Sequence, residues 1–212
     1  MNDPYFFGYG SLVNIGSHNY GPVARARLPG WRRRWRATRL RPAAFLTAHR
    51  APGHAIDGLV APVPGADWAA LDHRERGYDR LDALGLEHDL GPAAQVAVYA
   101  IPDATGAETP CPILLSYLDV VVRGFLDQFG PAGVARFMET TDGWDLPVAT
   151  DRDRPLYPRA QDTGDTARAL TDDWLRRLGA RFIAPEDTAL ATPEPRASGP
   201  APAPRASAPR AG

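Results

Sequence analysis

The sequence predicts an α+β domain, and three observations carry that expectation. Apolar runs of strand length occupy the first half of the chain. From Pro112 onward apolar residues recur at three- and four-residue steps, and no Pro/Gly/Ser stretch before the last 25 residues separates two apolar blocks. Strands first and helices later favour a sheet with flanking helices, and leave room for the sheet to curl into a small mixed barrel.

Tyr5-Phe6-Phe7 reads as a strand that enters the glycine-rich turn Gly8-Tyr9-Gly10-Ser11-Leu12. Residues 31–40 set Trp31 and Trp35 four apart among arginines, a spacing that fits a strand pair or one helix face. Residues 55–63 form an apolar run stopped by Pro64-Gly65, and Asp67 then offers an N-cap to a helix starting at Trp68. Residues 94–101 alternate as a strand does. Beyond Pro112, Ile113, Leu114, Tyr117, Leu118, Val121 and Phe125 follow a helical period that Gly130-Pro131 ends. A short helix over 134–138 and another over about 166–182 follow. Residues 188–212 carry six prolines after Ala191 and no large apolar side chain after Leu190. Such a segment has too little apolar surface to offset the entropy of ordering, so a disordered Pro/Ala-rich tail is expected behind a folded domain of residues 1–187.

A chain of 212 residues with 44% hydrophobic and 23% charged residues is neither fibrous nor wholly disordered. At this length about 70% of the unfolded surface can be removed from water, so folding requires neither disulfides nor metal. The one cysteine, Cys111, cannot form an internal bridge, which points to a cytoplasmic protein. A formal charge of −1 argues against attraction of the whole molecule to nucleic acid or anionic lipid. No apolar run is long enough to span a membrane, and Met1-Asn2-Asp3-Pro4 lacks the positive start of a signal peptide. All 24 residues of the Lys+Arg count are arginine, which excludes a Schiff-base lysine, a phosphate-loop lysine and a Ser-Lys dyad.

Two segments carry candidate chemistry. If Asp67 to Tyr78 is helical, Trp68, Leu71, Glu75 and Tyr78 share one stripe by 3,4,3 spacing, which puts a glutamate on the inward face. Lost hydration raises the pKa of such a carboxylate toward the range a general acid/base needs. Alternatively, Gly77 ends the helix early and leaves Glu75 solvated or paired with an arginine. The turn Gly8-Tyr9-Gly10-Ser11-Leu12 lets backbone N–H groups converge on a carboxylate or phosphate, with the Ser11 hydroxyl beside them, or is simply a tight reversal.

Taken together, Phe7-Gly8-Tyr9-Gly10-Ser11-Leu12 and Leu71-Asp72-His73-Arg74-Glu75-Arg76-Gly77-Tyr78-Asp79-Arg80 resemble the paired signatures of the γ-glutamylcyclotransferase superfamily, especially its ChaC-type and bacterial branches. Ser116-Tyr117-Leu118, with Gly124 seven residues after the tyrosine, is a weaker third match; the likeness covers roughly residues 4–130. The resemblance implies a compact mixed barrel with flanking helices and a lyase-type reaction, in which a small γ-glutamyl amide or peptide cyclises to 5-oxoproline and releases a free amine. It implies Glu75 as the catalytic acid/base and Tyr9, Gly10, Ser11 and Leu12 as the substrate-binding turn. Tyr78 and Tyr117 are then either hydrogen-bonding walls or core. The substrate carries its own nucleophile, the α-amine, so the scheme needs no metal or organic cofactor. It leaves open whether the amine half is glutathione-derived, a dipeptide or a simple amine. A non-catalytic member of the same fold that binds a small carboxylate and regulates something else is the alternative.

Three further features are weighed. Arg25, Arg27, Arg32, Arg33, Arg34, Arg36, Arg39 and Arg41 surround Trp31 and Trp35 in a pattern that single-stranded nucleic acid binding uses, but a strand with tryptophans inward and arginines in water explains it equally, and no nucleic-acid partner is expected. His49 and His54 are expected in an Arg/Pro/Gly-rich loop without metal-ligand spacing. Residues 151–159 form either a surface loop with internal ion pairs or a loop at the site, with Tyr157 or Arg159 reaching the amine half of a substrate.

Overall fold

The computed structural model describes residues 4–89, 95–102, 106 and 109–191. Residues 192–212 of the expected tail lie outside the described residues, as does Ala94 of the expected strand over 94–101. Residues 188–191 are described and end in a 3-10 turn, Ala189–Ala191.

In chain order the strands are β1 (Tyr5–Gly8), β2 (Ala24–Arg36), β3 (Phe45–Pro62), β4 (Asp79–Asp82), β5 (Glu87–His88), β6 (Val96–Ala100), β7 (Ile113–Leu114), β8 (Thr141–Asp142), β9 (Val148–Ala149) and β10 (Phe182–Ile183). The helices are α1 (Trp68–Arg74), α2 (Leu115–Glu139) and α3 (Gly164–Arg177). The main sheet runs β4-β6-β1-β3-β2-β5, with β8 alongside the second half of β2, and β10-β9-β7 form a small parallel sheet. At the centre, β1 is antiparallel to β3 and parallel to β6. The expected α+β class is therefore the observed one.

Strands β4 and β5 occupy the two ends of that six-strand order, yet only residues 83–86 join them. Laid flat, six strands spaced about 4.8 Å apart would put those ends roughly 24 Å from each other. Five residue steps reach about 17 Å at most. The sheet therefore curls back toward itself. The two end strands do not pair, so among the described residues the curl stops short of a hydrogen-bonded barrel.

Period-two alternation sorts the core. Phe7 points to the side covered by α2 and packs among Leu28, Ile56, Val121 and Phe125. Phe6 points to the other side, where it joins Val63, Leu71 and Tyr99 beneath α1. Burial of each such side chain contributes about 1.5–3 kcal/mol.

Several elements differ from the sequence expectation. Residues 31–36 are strand and not helix, and Trp31, Arg33 and Trp35 share the buried face of β2. The region expected to be a loop around His49 and His54 belongs to β3. His49 pairs with Arg32, and residues 51–54 are extra chain opposite a break between Pro29 and Trp31 in β2. The α1 helix stops at Arg74, one residue before Glu75, so the 3,4,3 stripe to Tyr78 is not a continuous helix. Helix α2 is interrupted at Gly130 (φ 68°), where Pro131 supplies no N–H, as expected from Gly130-Pro131. Helix α3 ends at Arg177 and not near 182: Gly179 N–H bonds Arg176 O and Ala180 N–H bonds Leu175 O, which turns the chain into β10. No helix among the described residues is long and apolar enough to cross a membrane.

Candidate functional site

A cavity of about 950 Å³ opens where the turn after β1, the exit of α1, the start of α2 and the loop after β9 meet. All seven residues singled out from the sequence, Tyr9, Gly10, Ser11, Leu12, Glu75, Tyr78 and Tyr117, line it. Residues 40–46, none of which the sequence reading assigned to this site although it weighed Arg41 in the basic stretch, complete a wall, with Ala44 N–H bonded to Pro112 O at 2.8 Å.

The turn is built by local bonding after the central strand. Val13 N–H returns to Gly10 O (2.9 Å) and Asn14 N–H to Ser11 O (3.0 Å), which closes a 3-10 turn over Ser11–Val13. Among the described residues the N–H groups of Gly10 and Leu12 have no backbone partner, and the Ser11 hydroxyl has none either. The Ser11 N–H faces the Tyr117 hydroxyl. That hydroxyl sits 2.9 Å from where a Cβ on Gly10 would stand, so only glycine permits this approach of α2 to the turn. Asn14 Nδ2 donates to Val120 O at 3.0 Å and fixes the same contact from the far end.

Behind the turn lies a fully buried cation. Arg33 donates through Nε to Tyr9 O (2.9 Å), through Nη1 to Thr140 Oγ1 (2.9 Å), and through Nη2 to Asp57 O. Its guanidinium lies over Phe125 (4.9 Å) and Phe137 (5.2 Å), two rings that are themselves stacked with centroids 4.8 Å apart. Burial pulls its pKa down to about 9, against the upward pull of Asp57, Tyr9 and Tyr117, and it remains charged at neutral pH. Composition hid this residue among seven other arginines. The period-two step Trp31, Arg33, Trp35 was the signal that could have found it.

Glu75 is the C-cap of α1, and its N–H bonds Leu71 O at 2.9 Å. Gly77 (φ 94°) adopts the left-handed conformation that brings the chain back so that Tyr78 follows on the cavity wall. The Glu75 side chain is 20% exposed and is the one carboxylate among the described residues lining the cavity. Burial raises its pKa above the ordinary glutamate value. Arg74, whose Nε lies 3.1 Å from Glu75 Oε1, and Arg159 across the cavity pull it down without cancelling the rise. Both expectations raised from the sequence thus apply in part: the helix ends early and an arginine pairs with Glu75, but the carboxylate is desolvated rather than in water.

Five tyrosines, Tyr9, Tyr78, Tyr99, Tyr117 and Tyr157, line the same space. Burial raises the pKa values of Tyr9, Tyr78 and Tyr117, so these phenols stay protonated. Tyr9 spends its proton on Tyr99 O (2.5 Å) and Tyr78 on Leu46 O (3.1 Å). Tyr78 therefore offers a guest its ring face, and its hydroxyl only as an acceptor. Tyr157 stacks edge-on against Tyr117 (centroids 4.9 Å apart), and its buried hydroxyl has no protein partner.

The loop that carries Tyr157 is pinned to the N-terminus of α2. Buried Asp151 accepts from Ser116 N–H (2.9 Å), Ser116 Oγ (2.5 Å) and Leu156 N–H (3.0 Å). Arg152 bridges Asp119 (2.7 Å) and Asp172 (2.7 Å), which ties the loop to α2 and α3 instead of pairing within the loop. Leu156, Tyr157, Pro158 and Arg159 then line the cavity. His49 pairs with Asp142 and not with other ligating side chains, and no cluster fit to hold a metal ion exists among the described residues.

No family model matches the chain, and no curated protein matches it. Among solved structures it is similar to YkqA from Bacillus subtilis, with a TM-score of 0.52 and 18% identity over 68% of this chain and 57% of that one. It is also similar to a γ-glutamyl cyclotransferase, with a TM-score of 0.51 and 13% identity over 81% of this chain and 99% of that one. The chain thus spans little more than half the length of YkqA and nearly all of the second protein. At these identities the likeness is one of fold, and the fold is the γ-glutamylcyclotransferase-like one that the paired sequence signatures imply.

Proposed function

We propose that this protein is a γ-glutamylcyclotransferase-type lyase that converts a small γ-glutamyl amide or peptide to 5-oxoproline and a free amine. The observation that carries the reading is the meeting, on the wall of a single cavity, of one desolvated carboxylate, Glu75, and one glycine-rich turn whose Gly10 and Leu12 N–H groups have no backbone partner among the described residues. The single cysteine accords with a cytoplasmic setting.

In this scheme the cavity folds the substrate so that its α-amine lies against its own γ-carbonyl carbon, an effect that can contribute up to roughly 7–11 kcal/mol. Glu75 takes a proton from the α-ammonium. The freed amine attacks the γ-carbonyl, the new C–N bond closes the five-membered ring, and the ring nitrogen gives its surplus proton to water. The tetrahedral oxyanion then collapses and the old C–N bond breaks as Glu75 returns its proton to the departing amine, which takes a further proton from water and leaves as an ammonium; Glu75 thus serves both of its transfers. The N–H groups of Gly10 and Leu12 receive either the substrate α-carboxylate or the oxyanion. The Arg74 contact favours a second reading, in which Glu75 is held ionised and the protein only binds a carboxylate.

Release of 5-oxoproline from γ-glutamylalanine or glutathione separates the two readings, because a binding module releases none. Glu75→Gln is expected to lower kcat by at least about 100-fold with little change in substrate affinity. The proton acceptor must be ionised, and its pKa is raised by burial. Activity should therefore fall on acidification through an apparent pKa above the ordinary glutamate value of about 4.3, and that acidic limb should vanish from the residual rate of Glu75→Gln. Near-normal turnover by the variant rejects Glu75 as the acid/base.

A further inference from the structure

Charge on the cavity wall is one-sided. Among the described residues, Arg41, Arg74, Arg76 and Arg159 line it against Glu75 alone, in a protein whose formal charge is −1. Arg74 is committed to Glu75 at 3.1 Å. The side chains of Arg41, Arg76 and Arg159 are exposed and make no ion pair or side-chain hydrogen bond among the described residues. The space is also larger than a γ-glutamyl group requires, since about 950 Å³ lies at the upper end of the roughly 300–1,000 Å³ of pockets for drug-sized ligands.

Accepting the cyclotransferase reading, Glu75 and the turn account for the amine and carboxylate of the γ-glutamyl half. The uncommitted arginines then face the other half. We infer that the cavity selects γ-glutamyl compounds whose amine half carries a carboxylate, with Arg159 as its main counter-ion, and discriminates against γ-glutamyl polyamines. Three further observations support this assignment. Arg159 lies close enough to act on Glu75, so its charge reaches the reacting end of the cavity. Two residues before it, Tyr157 lines the same cavity and packs edge-on against Tyr117, which seats the wall that carries Arg159. A cationic amine half would meet like charge at the rim and, among the described residues, would find only the already paired Glu75 as a counter-ion, an arrangement that excludes wrong partners as effectively as attraction admits right ones.

Calorimetric titration of the full chain carrying Glu75→Gln tests the inference without turnover. The ligands are γ-glutamylalanine, its C-terminal amide and γ-glutamylputrescine. The acid is expected to bind at least about tenfold more tightly than the amide, in line with a charge-assisted contact, and the putrescine compound most weakly. Adding Arg159→Gln should erase most of the acid-over-amide preference and leave amide affinity unchanged. Equal affinities for the three ligands overturn the charge selection, and a preference that survives Arg159→Gln overturns the assignment to Arg159. Binding with the expected preference, in a protein whose unaltered form releases no 5-oxoproline, keeps the selection and rejects the cyclotransferase reading. No binding of any of the three rejects both.

Discussion

The turn after β1 and the loop 151–159 are two walls of one cavity, anchored in opposite ways. The turn is pinned from within: its Tyr9 carbonyl receives a bond from Arg33, a fully buried cation among neutral oxygens and two phenylalanine rings. The loop is pinned at its root, where Asp151 and Arg152 fasten it to α2 and α3, while Leu156, Pro158 and Arg159 at its tip are exposed. A wall fixed along its length suits a group that is the same in every substrate. A wall whose backbone is held at Leu156 and Tyr157 but whose Leu156, Pro158 and Arg159 side chains stand exposed suits a half that varies.

The sharpest way to break the contrast is at Arg33. Arg33→Met fills a similar volume but leaves Tyr9 O, Thr140 Oγ1 and Asp57 O without their donor, and bonds to charged donors are worth about 1.5–3 kcal/mol each. We expect a loss of about 3 kcal/mol or more in denaturant-unfolding free energy. A loss under about 1 kcal/mol would mean that the turn is held by its own hydrogen bonds.

Asp151→Ala strikes the other anchor. It strips three donors of their acceptor, including the Ser116 N–H in the first turn of α2, and should cost about 2 kcal/mol of stability. Because the loop meets the amine half, the kinetic signature differs from that of Glu75→Gln: KM for γ-glutamyl substrates should rise by more than kcat falls. A pure kcat effect would place the loop nearer the reacting atoms than the cavity geometry implies.

The same contrast explains what could be read from the sequence. The turn wall was legible because it is local. An apolar strand run followed by two glycines is a nearest-neighbour pattern, and the Asp67 cap, whose carboxylate accepts from Ala70 N–H at 3.0 Å, is equally local. Glu75 was legible as a residue to watch, but its environment was not. The helix that seemed to turn it inward stops one residue short, and burial comes instead from the turn, residues 40–46 and the loop, which converge from distant parts of the chain. The 151–159 wall stayed ambiguous because its partners, Ser116, Asp119 and Asp172, lie on two helices that sequence spacing does not bring together. The length of β3 was missed for a different reason. Arg, Pro and Gly in residues 50–53 read as loop, whereas Arg50 still pairs with Trp31 and residues 51–54 are extra chain opposite a break in the pairing of a long hairpin.

The smallest expected effect sharpens the comparison most finely, because it sets one hydroxyl from each side of the cavity against the other. The Tyr78 hydroxyl donates to Leu46 O at 3.1 Å, so Tyr78→Phe removes a made bond and should cost about 1 kcal/mol in unfolding free energy. The Tyr157 hydroxyl is buried without a protein partner, so Tyr157→Phe removes an unsatisfied group and should leave stability unchanged or slightly raised. A small shift of the Tyr157 ring toward the cavity would give its hydroxyl a guest as its partner. The two variants should therefore exchange order when affinity for γ-glutamylalanine is measured: Tyr157→Phe weakens binding severalfold, and Tyr78→Phe, whose hydroxyl is already committed, changes it little. The same order in both measurements would make Tyr157 a packing residue and move the work of its wall onto Arg159 alone.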